Sequence, residues 1–589
     1  MEKICPGVYR LRFGTPEEMT FTTFREYPAQ SVGGDNPPPF IEEDVCFDTS
    51  IRGCALTLPQ RGEVYGFGLQ LRTFRHTLGK RTMRCNADAL ASNGESHAPV
   101  PFFVTTEGYG VLIDSARDVS FYCGQARPKG ASRSHANAES SWAPEATDEA
   151  YRSELGSGEG RMRVEIPVAK GAEVYLFAGD SMLDAVQKYN MFCGGGCKLP
   201  DWGLGVWYRM YGASSAVDWV RFAKRFREDG LPVTVLGLEP GWHTHAYSCS
   251  YVFDDKRLGD HEEAFRQLRE MGYHINLWEH CYTHPSSPIY EELMPYAGDH
   301  EVWGGLVPDF TLPEAREIYL RQHAALGADC FKLDECDGAD LTGGWSYPDG
   351  AAFPSGLDGE QMHHLLGLLY QQTINQGYPD SCHSVRASGA MASPYPFILY
   401  SDLYDHKDFI RGVVNAGFSG LLWAPEIRHA KNLKDFVRRL QTALFSPQML
   451  INAWYLKNPP WDQLIREKNN ADEHMPEAAE ALRMVKALFD KRAELVSYLE
   501  RMYQQYHDTG KPVFRALILD YPQDEACQLI DDEYLMGDDY LFAPLTEESD
   551  TRQVYLPEGT WQRDGQTYLG GWHEFTCALD EYLLFERVK

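Results

Sequence analysis

The chain contains no run of the roughly 20 apolar residues that a membrane helix needs. Positive charge is scarce: 55 lysines and arginines stand against 85 aspartates and glutamates, for a net charge of −30. That balance repels phosphate backbones and argues against nucleic acid as a partner. The 14 cysteines follow no framework spacing, and the opening "MEKICPGVYRLRFG" holds no long apolar segment. The expectation is a cytoplasmic protein with reduced thiols and no membrane partner. No fixed-period repeat is present, and the 34 prolines are spread rather than gathered into linkers.

What is present points to a large globular protein. A chain of 589 residues exceeds one hydrophobic core, so two to four domains are expected. Aromatic residues make up 13% of it, with 33 tyrosines and 13 tryptophans. Their flat faces and polar rims suit sugar rings as well as cores.

The texture of the sequence changes twice. Residues 1–197 carry short alternating runs such as "VYRLRF", "PFFVTTEGYGVLID" and "AEVYLFAG", punctuated by Gly, Pro, Asn and Asp. This predicts an N-terminal β-sandwich domain. The polar, Ser/Ala-rich stretch 126–160 reads as a long loop. Over residues 198–490, apolar strand-like runs alternate with amphipathic segments: "PVTVLGLEPGW" then "HEEAFRQLREMG", "PEAREIYLRQHAALG" then "ADCFKLDECDG". Alternation of that kind predicts an α/β fold, a (β/α)8 TIM barrel. From 491 to 589 the β texture returns, predicting a smaller C-terminal β-sandwich domain.

In such a barrel, active residues gather where strands end. Glu239 and Trp242, Trp278 and Glu279, Lys332 and Asp334, Arg386, Asp402, and Trp423 with Glu426 all follow predicted strands. The stretch "FKLDECDG" at 331–338 crowds Asp334, Glu335 and Asp337 into four positions. Paired carboxylates beside aromatic platforms suit glycoside hydrolysis, one attacking the anomeric carbon and the other protonating the leaving oxygen. Lys332, on the same strand face as Asp334, helps keep a nucleophile ionised.

Several stretches, in shared order, resemble glycoside hydrolase family 31, the retaining α-glycosidases. "PDFTLPEAREIYL" is similar to the family's "DFTNPEAREW", "VRASGAMASPYPFILYSD" to "RSG…YP..W.GD", and "LQTALFSPQMLINAW" to "WLQFGAFSPLMRLH". The resemblance implies Asp334 as nucleophile and Asp402 as general acid/base. It implies Arg386 beside the sugar and Glu239 where the family has a hydroxyl-binding aspartate. Trp242 and Trp278 match pocket tryptophans, and Lys332, Trp423, Glu426 and Asn452 complete the implied substrate-binding set. Glu335 and Asp337 are left as neighbours or loop anchors.

Three departures touch the pocket. "WAPEIRHAK" replaces the usual "WSHDIGGF", placing Glu426 and Arg428 at unusual positions. Asn452 stands where a sugar-binding histidine is usual, and Leu399 where a tryptophan often is. The expected activity is exo-acting hydrolysis of a terminal α-linked hexose, glucose or its axial-O4 epimer galactose. The expected partner is a small carbohydrate, with no cofactor and no metal; homo-oligomerisation stays open.

Alternatives within the same family are an α-xylosidase, an α-N-acetylgalactosaminidase or a transglycosylase. Rivals beyond them are an inverting hydrolase, whose carboxylates would stand roughly 6.5–9.5 Å apart, and a non-catalytic sugar binder, which would be expected to lose Asp334 or Asp402. A metalloenzyme built on His243 and His245, or on His280 and His284, is disfavoured because "HCYTHPSSP" reads as a loop. Cys193 and Cys197 lack the second pair that zinc would need.

Overall fold

The computed structural model describes residues 1–87, 89, 92–124, 160–338, 344–402, 405–424 and 426–588. Residues 126–159 of the expected long loop lie outside them. All 14 cysteines are free thiols.

The middle of the chain forms a seven-stranded parallel sheet rolled into a barrel. In chain order its strands are β1 (Val206–Arg209), β2 (Val233–Leu238), β3 (His274–Glu279), β4 (Cys330–Leu333), β5 (His383–Val385), β6 (Phe397–Leu399) and β7 (Met449–Asn452). The spatial order is β6-β5-β4-β3-β2-β1-β7. The ring closes through single parallel bridges, Leu399 to Trp423 and Ile427 to Ile451. The strands are almost wholly buried, which is why they read as continuous apolar runs.

Helices cover the outside. Ala216–Glu228 starts at Ser215, whose side chain accepts from the Asp218 N–H in a capping box. Trp219, Phe222 and Phe226 recur at helical spacing and are the buried face. Gly359–Gly377 is capped in the same way by Asp358 and Gln361. Between β3 and its crossover helix Pro313–His323, a β-hairpin of Ala297–Val302 and Gly305–Pro308 is inserted.

The N-terminal region is two antiparallel sheets, of six and five strands. Along Pro99–Thr105 and Tyr109–Asp114 every residue is buried. Phe103, Val111 and Ile113 point into the core between the two sheets. Their neighbours Phe102, Val104 and Leu112 join the core shared with the barrel. The period-two alternation of a strand thus serves two cores at once.

The reading from sequence placed the return to β structure at 491. Helix Ala478–Thr509 runs through that position, its last turn closed by Gly510 at φ +70°. Six antiparallel strands follow, the first being Phe514–Ala516. The helix is tied to the barrel by Arg492, fully buried, which donates to the carbonyls of Leu204, Leu444, Ser446 and Pro447.

Candidate active site

The C-terminal ends of the barrel strands bring most of the singled-out side chains together. Asp334 directly follows β4 and keeps 7% of its surface exposed. Its backbone N–H donates to Glu279 O at 2.8 Å, fixing the turn off the strand. Its Oδ2 accepts from Trp278 Nε1 at 2.7 Å and its Oδ1 from the Glu335 N–H at 2.9 Å. Lys332 Nζ lies 3.9 Å from Oδ2, and Arg386 Nη1 lies 3.6 Å from Oδ1. Burial alone would push this carboxyl up. The cations Lys332 and Arg386 outweigh it and hold Asp334 below the ordinary carboxylate value.

Asp402 follows β6 at the mouth, with its side chain 46% exposed. Arg386 Nη1 donates to its Oδ2 at 2.9 Å, and Arg428 Nη1 donates to its Oδ1. Burial opposes ionisation here too, but the two guanidinium groups drive Asp402 well below the ordinary carboxylate range. One nitrogen of Arg386 therefore bridges the two candidate carboxylates. The oxygens it touches stand no further apart than its legs of 3.6 and 2.9 Å laid end to end.

Arg386 is itself anchored: its Nε donates to Asp337 Oδ2 at 2.8 Å. That same oxygen meets His97 Nδ1 at 2.7 Å, and His97 Nε2 meets Ser401 Oγ at 2.7 Å. His97 is fully buried and comes from the N-terminal region, so a sandwich residue braces the loops carrying both Asp334 and Asp402.

Glu335 adopts φ +57°, with its carbonyl accepting from the Tyr282 hydroxyl at 2.8 Å. Burial, then the neighbouring charge of Asp334, pushes its carboxyl up to about 9. The two adjacent carboxyls are thus pushed in opposite directions, Glu335 up and Asp334 down.

Deeper in the barrel, a buried polar layer spans five strands. Arg209, at the end of β1, donates from Nη1 to Glu426 Oε1 at 2.6 Å and from Nη2 to Ser384 Oγ at 2.9 Å. Asn452 Nδ2 donates to the same Glu426 oxygen at 2.6 Å. Lys332 Nζ lies 3.3 Å from Glu239 Oε2 and 3.7 Å from Glu426 Oε1. Burial, in the presence of Glu426 and Asp334, raises the Glu239 carboxyl despite Lys332 and Arg209. The ring of Tyr400 faces three cations, with Lys332 Nζ 4.7 Å, Arg209 Cζ 5.4 Å and Arg386 Cζ 5.8 Å from its centroid. The buried Tyr400 hydroxyl has no partner among the described residues.

The two other tryptophans sit further back. Trp242 is buried, stacks on His243 at 3.5 Å, and donates its N–H to Trp278 O at 2.7 Å. Trp423 turns to helix His406–Ala416 and donates to Phe409 O at 3.1 Å. The histidines named in the metal rival turn to other contacts: His243 meets Trp278 O, and His245 stacks on His284 at 3.6 Å. Among the described residues, one group has metal-like spacing, His406, Asp435 and Glu547. Its carboxylates already answer to Arg439 and Lys431.

Residues 197–501 match the family model described as the glycosyl hydrolases family 31 TIM-barrel domain, and 510–587 that of the family's C-terminal domain. The chain belongs to glycosyl hydrolase family 31. An α-xylosidase of Emericella nidulans is 22% identical over 562 residues, covering 88% of this chain and 65% of that protein. Alpha-glucosidase 2 of Bacillus thermoamyloliquefaciens is 22% identical over 581 residues, covering 90% and 67%. The chain thus spans about two thirds of the length of these curated relatives. A cycloalternan-degrading enzyme from Trueperella pyogenes superposes with a TM-score of 0.76 at 18% identity, over 96% of this chain and 82% of that one.

Sequence reasoning missed Arg209, Tyr400 and His97. Arg209 carried the signal used for the others, a charge closing an apolar strand in "VWYR". His97 gave no such signal: it lies 240 positions from the aspartate it braces.

Proposed function

We propose that the protein is a retaining, exo-acting α-glycosidase that removes a terminal non-reducing α-linked hexose, galactose or glucose, from small oligosaccharides or glycosides. The observation that carries this reading is the bridged pair. An ionised Asp334 and an aspartate two strands away share one nitrogen of Arg386, which follows the strand between them. That spacing suits the roughly 5–5.5 Å of a retaining enzyme better than the wider gap of an inverting one.

In the first step an Asp334 carboxylate oxygen bonds to the anomeric carbon. The bond to the leaving oxygen breaks, and that oxygen takes a proton from Asp402. In the second step Asp402 accepts a proton from water as the water oxygen attacks the same carbon. The bond to Asp334 breaks, and the sugar leaves with its α configuration kept. Asp402 is ionised while Arg386 and Arg428 both hold it. Arg386 is pinned by Asp337, so Arg428, nearer the mouth, is the cation that moves when the leaving group enters. The hydroxyls of a hexose offer partners to Tyr400 and to the layer of Glu239, Lys332, Arg209, Glu426 and Asn452.

The resemblance to an α-xylosidase keeps a pentose as the second reading. Hydrolysis of a panel of p-nitrophenyl α-glycosides, with Asp334→Ala alongside, tests the proposal. One α-hexoside cleaved by the wild type and not by the variant supports it. Cleavage of α-xylosides alone overturns the choice of sugar, and activity retained in Asp334→Ala overturns the mechanism.

A further inference from the structure

A row of aromatic rings runs outward from the nucleophile. Trp278, hydrogen-bonded to Asp334, lies 5.4 Å from the ring of Tyr247. Tyr247 meets Trp303 edge to face at 5.1 Å, and Trp303 meets Trp345 at 5.5 Å and 69°. Trp278 is 1% exposed, Tyr247 44% and Trp345 54%, with Trp303 half-buried between the last two. Large aromatics exposed on both sides of a half-buried one are what core packing does not produce. The inner end belongs to the site: burial, then the charges of Asp334, Glu335 and Glu239, raises the Tyr247 hydroxyl.

Trp303 is held there at a conformational cost. It and Gly304 form the two-residue turn of the inserted hairpin, Val302 pairing with Gly305. Their φ values are +50° and +68°, the signature of a type I′ turn. Asn, Asp or Gly fits the first position; a bulky side chain at positive φ is strained. The hairpin is clamped to the loop after β3 by a reciprocal pair of bonds between Thr283 and Leu306, both 2.9 Å. His280 and Tyr282 from that loop pack on Trp303 at 5.1 and 5.6 Å. A strained residue in a braced turn is what a functional surface looks like.

We propose that Tyr247, Trp303 and Trp345 form a binding platform for the leaving group, selecting glycosides whose aglycone presents a flat ring face. The inference rests on the glycosidase reading and extends it to the side of the scissile bond that the barrel layer does not touch. A methyl aglycone is too small to reach Trp303; a phenyl group or second pyranose can lie across it.

The test uses the full-length enzyme with phenyl and methyl α-glucosides and α-galactosides, and a disaccharide with the same terminal sugar. Trp303→Asn places a residue that the turn prefers, so its thermal midpoint should hold or rise. The phenyl-to-methyl ratio of kcat/KM should nevertheless fall about tenfold through KM, and Trp303→Phe should restore most of it. A loss confined to the phenyl glycoside assigns an aromatic aglycone, and one shared by the disaccharide assigns a sugar ring; either supports the platform. An unchanged ratio in both Trp303→Asn and Tyr247→Ala overturns it. If the wild type cleaves none of these glycosides, the reading as a hydrolase of terminal α-hexosides has failed. Calorimetric affinity for the phenyl glycosides, in Asp334→Asn with and without Trp303→Asn, then decides the platform alone. About tenfold weaker binding sustains it, and equal affinity overturns it.

Discussion

Arg428 closes an ion pair on Asp402 from the side opposite Arg386. The pair places the candidate acid in its proton-free form, and this has a kinetic consequence. The basic limb of kcat/KM against pH reports the acid of the free enzyme. In Arg428→Gln one of the two cations is gone, so the Asp402 carboxyl should rise toward the ordinary range. The basic limb should move to higher pH by about one unit or more. A limb that stays in place would show that Arg428 does not govern this proton.

Glu335 gives a prediction of stability rather than rate. In the fold its carboxyl holds its proton up to about 9, against an ordinary 4.5 in the unfolded chain. Between those values folding must take up a proton, so stability is lost as pH rises through that window. Glu335→Gln removes the penalty. Its thermal midpoint should match wild type near pH 4 and exceed it by about 2 °C or more at pH 9. Calorimetry across pH reads this, and a pH-independent difference would contradict it.

The Asp337 carboxylate is 1% exposed and serves both Arg386 and His97. Asp337→Ala leaves a buried guanidinium short of a partner and should cost about 3–5 kcal/mol, read from urea midpoints. His97→Ala removes the brace on Asp337 and Ser401 instead. It should lower kcat by about 10- to 100-fold with a smaller change in KM, because both catalytic loops shift. A kcat within twofold of wild type would mean that the loops hold without it.

Arg209 and Glu426 form a buried pair with both side chains 1% exposed. Glu426→Gln should destabilise by about 3–5 kcal/mol. Adding Arg209→Met should recover about 1–3 kcal/mol of that loss in a double-mutant cycle. Strict additivity would mean that Lys332 and Asn452, rather than Arg209, compensate Glu426. The same variants should alter the preference between glucoside and galactoside, since this layer faces the sugar in the proposed complex.

Much of this architecture was legible in the sequence because parallel strands buried on both faces write themselves as unbroken apolar runs, "PVTVLGL" and "CFKL" among them. Charges at the ends of those runs pointed to Asp334, Arg386 and Asp402 before any geometry was known. What stayed hidden were partnerships across long separations. Nothing near His97 announces Asp337, and nothing in "EVWGGLVPDF" shows that Trp303 occupies a turn meant for asparagine. Orientation was hidden too: Trp278 and Trp423 both stand at the ends of apolar runs in the sequence, yet one reaches Asp334 and the other turns to helix His406–Ala416. The C-terminal β region began later than its texture suggested because helix Ala478–Thr509 carries its packing face across the change in composition.

The six-stranded sheet of the sandwich acts as a party wall. Phe103 furnishes the room on one side and Phe102 the room on the other. Trimming the chain to its catalytic portion at residue 197 would strip that wall and lay bare the apolar face against which the barrel rests, together with the brace that His97 supplies. The same shared core runs on into the C-terminal strands through Phe514, Tyr534 and Phe585, so the smallest piece that can be expected to stay soluble keeps all three regions. Heating should melt them in one transition, since one core belongs to all of them.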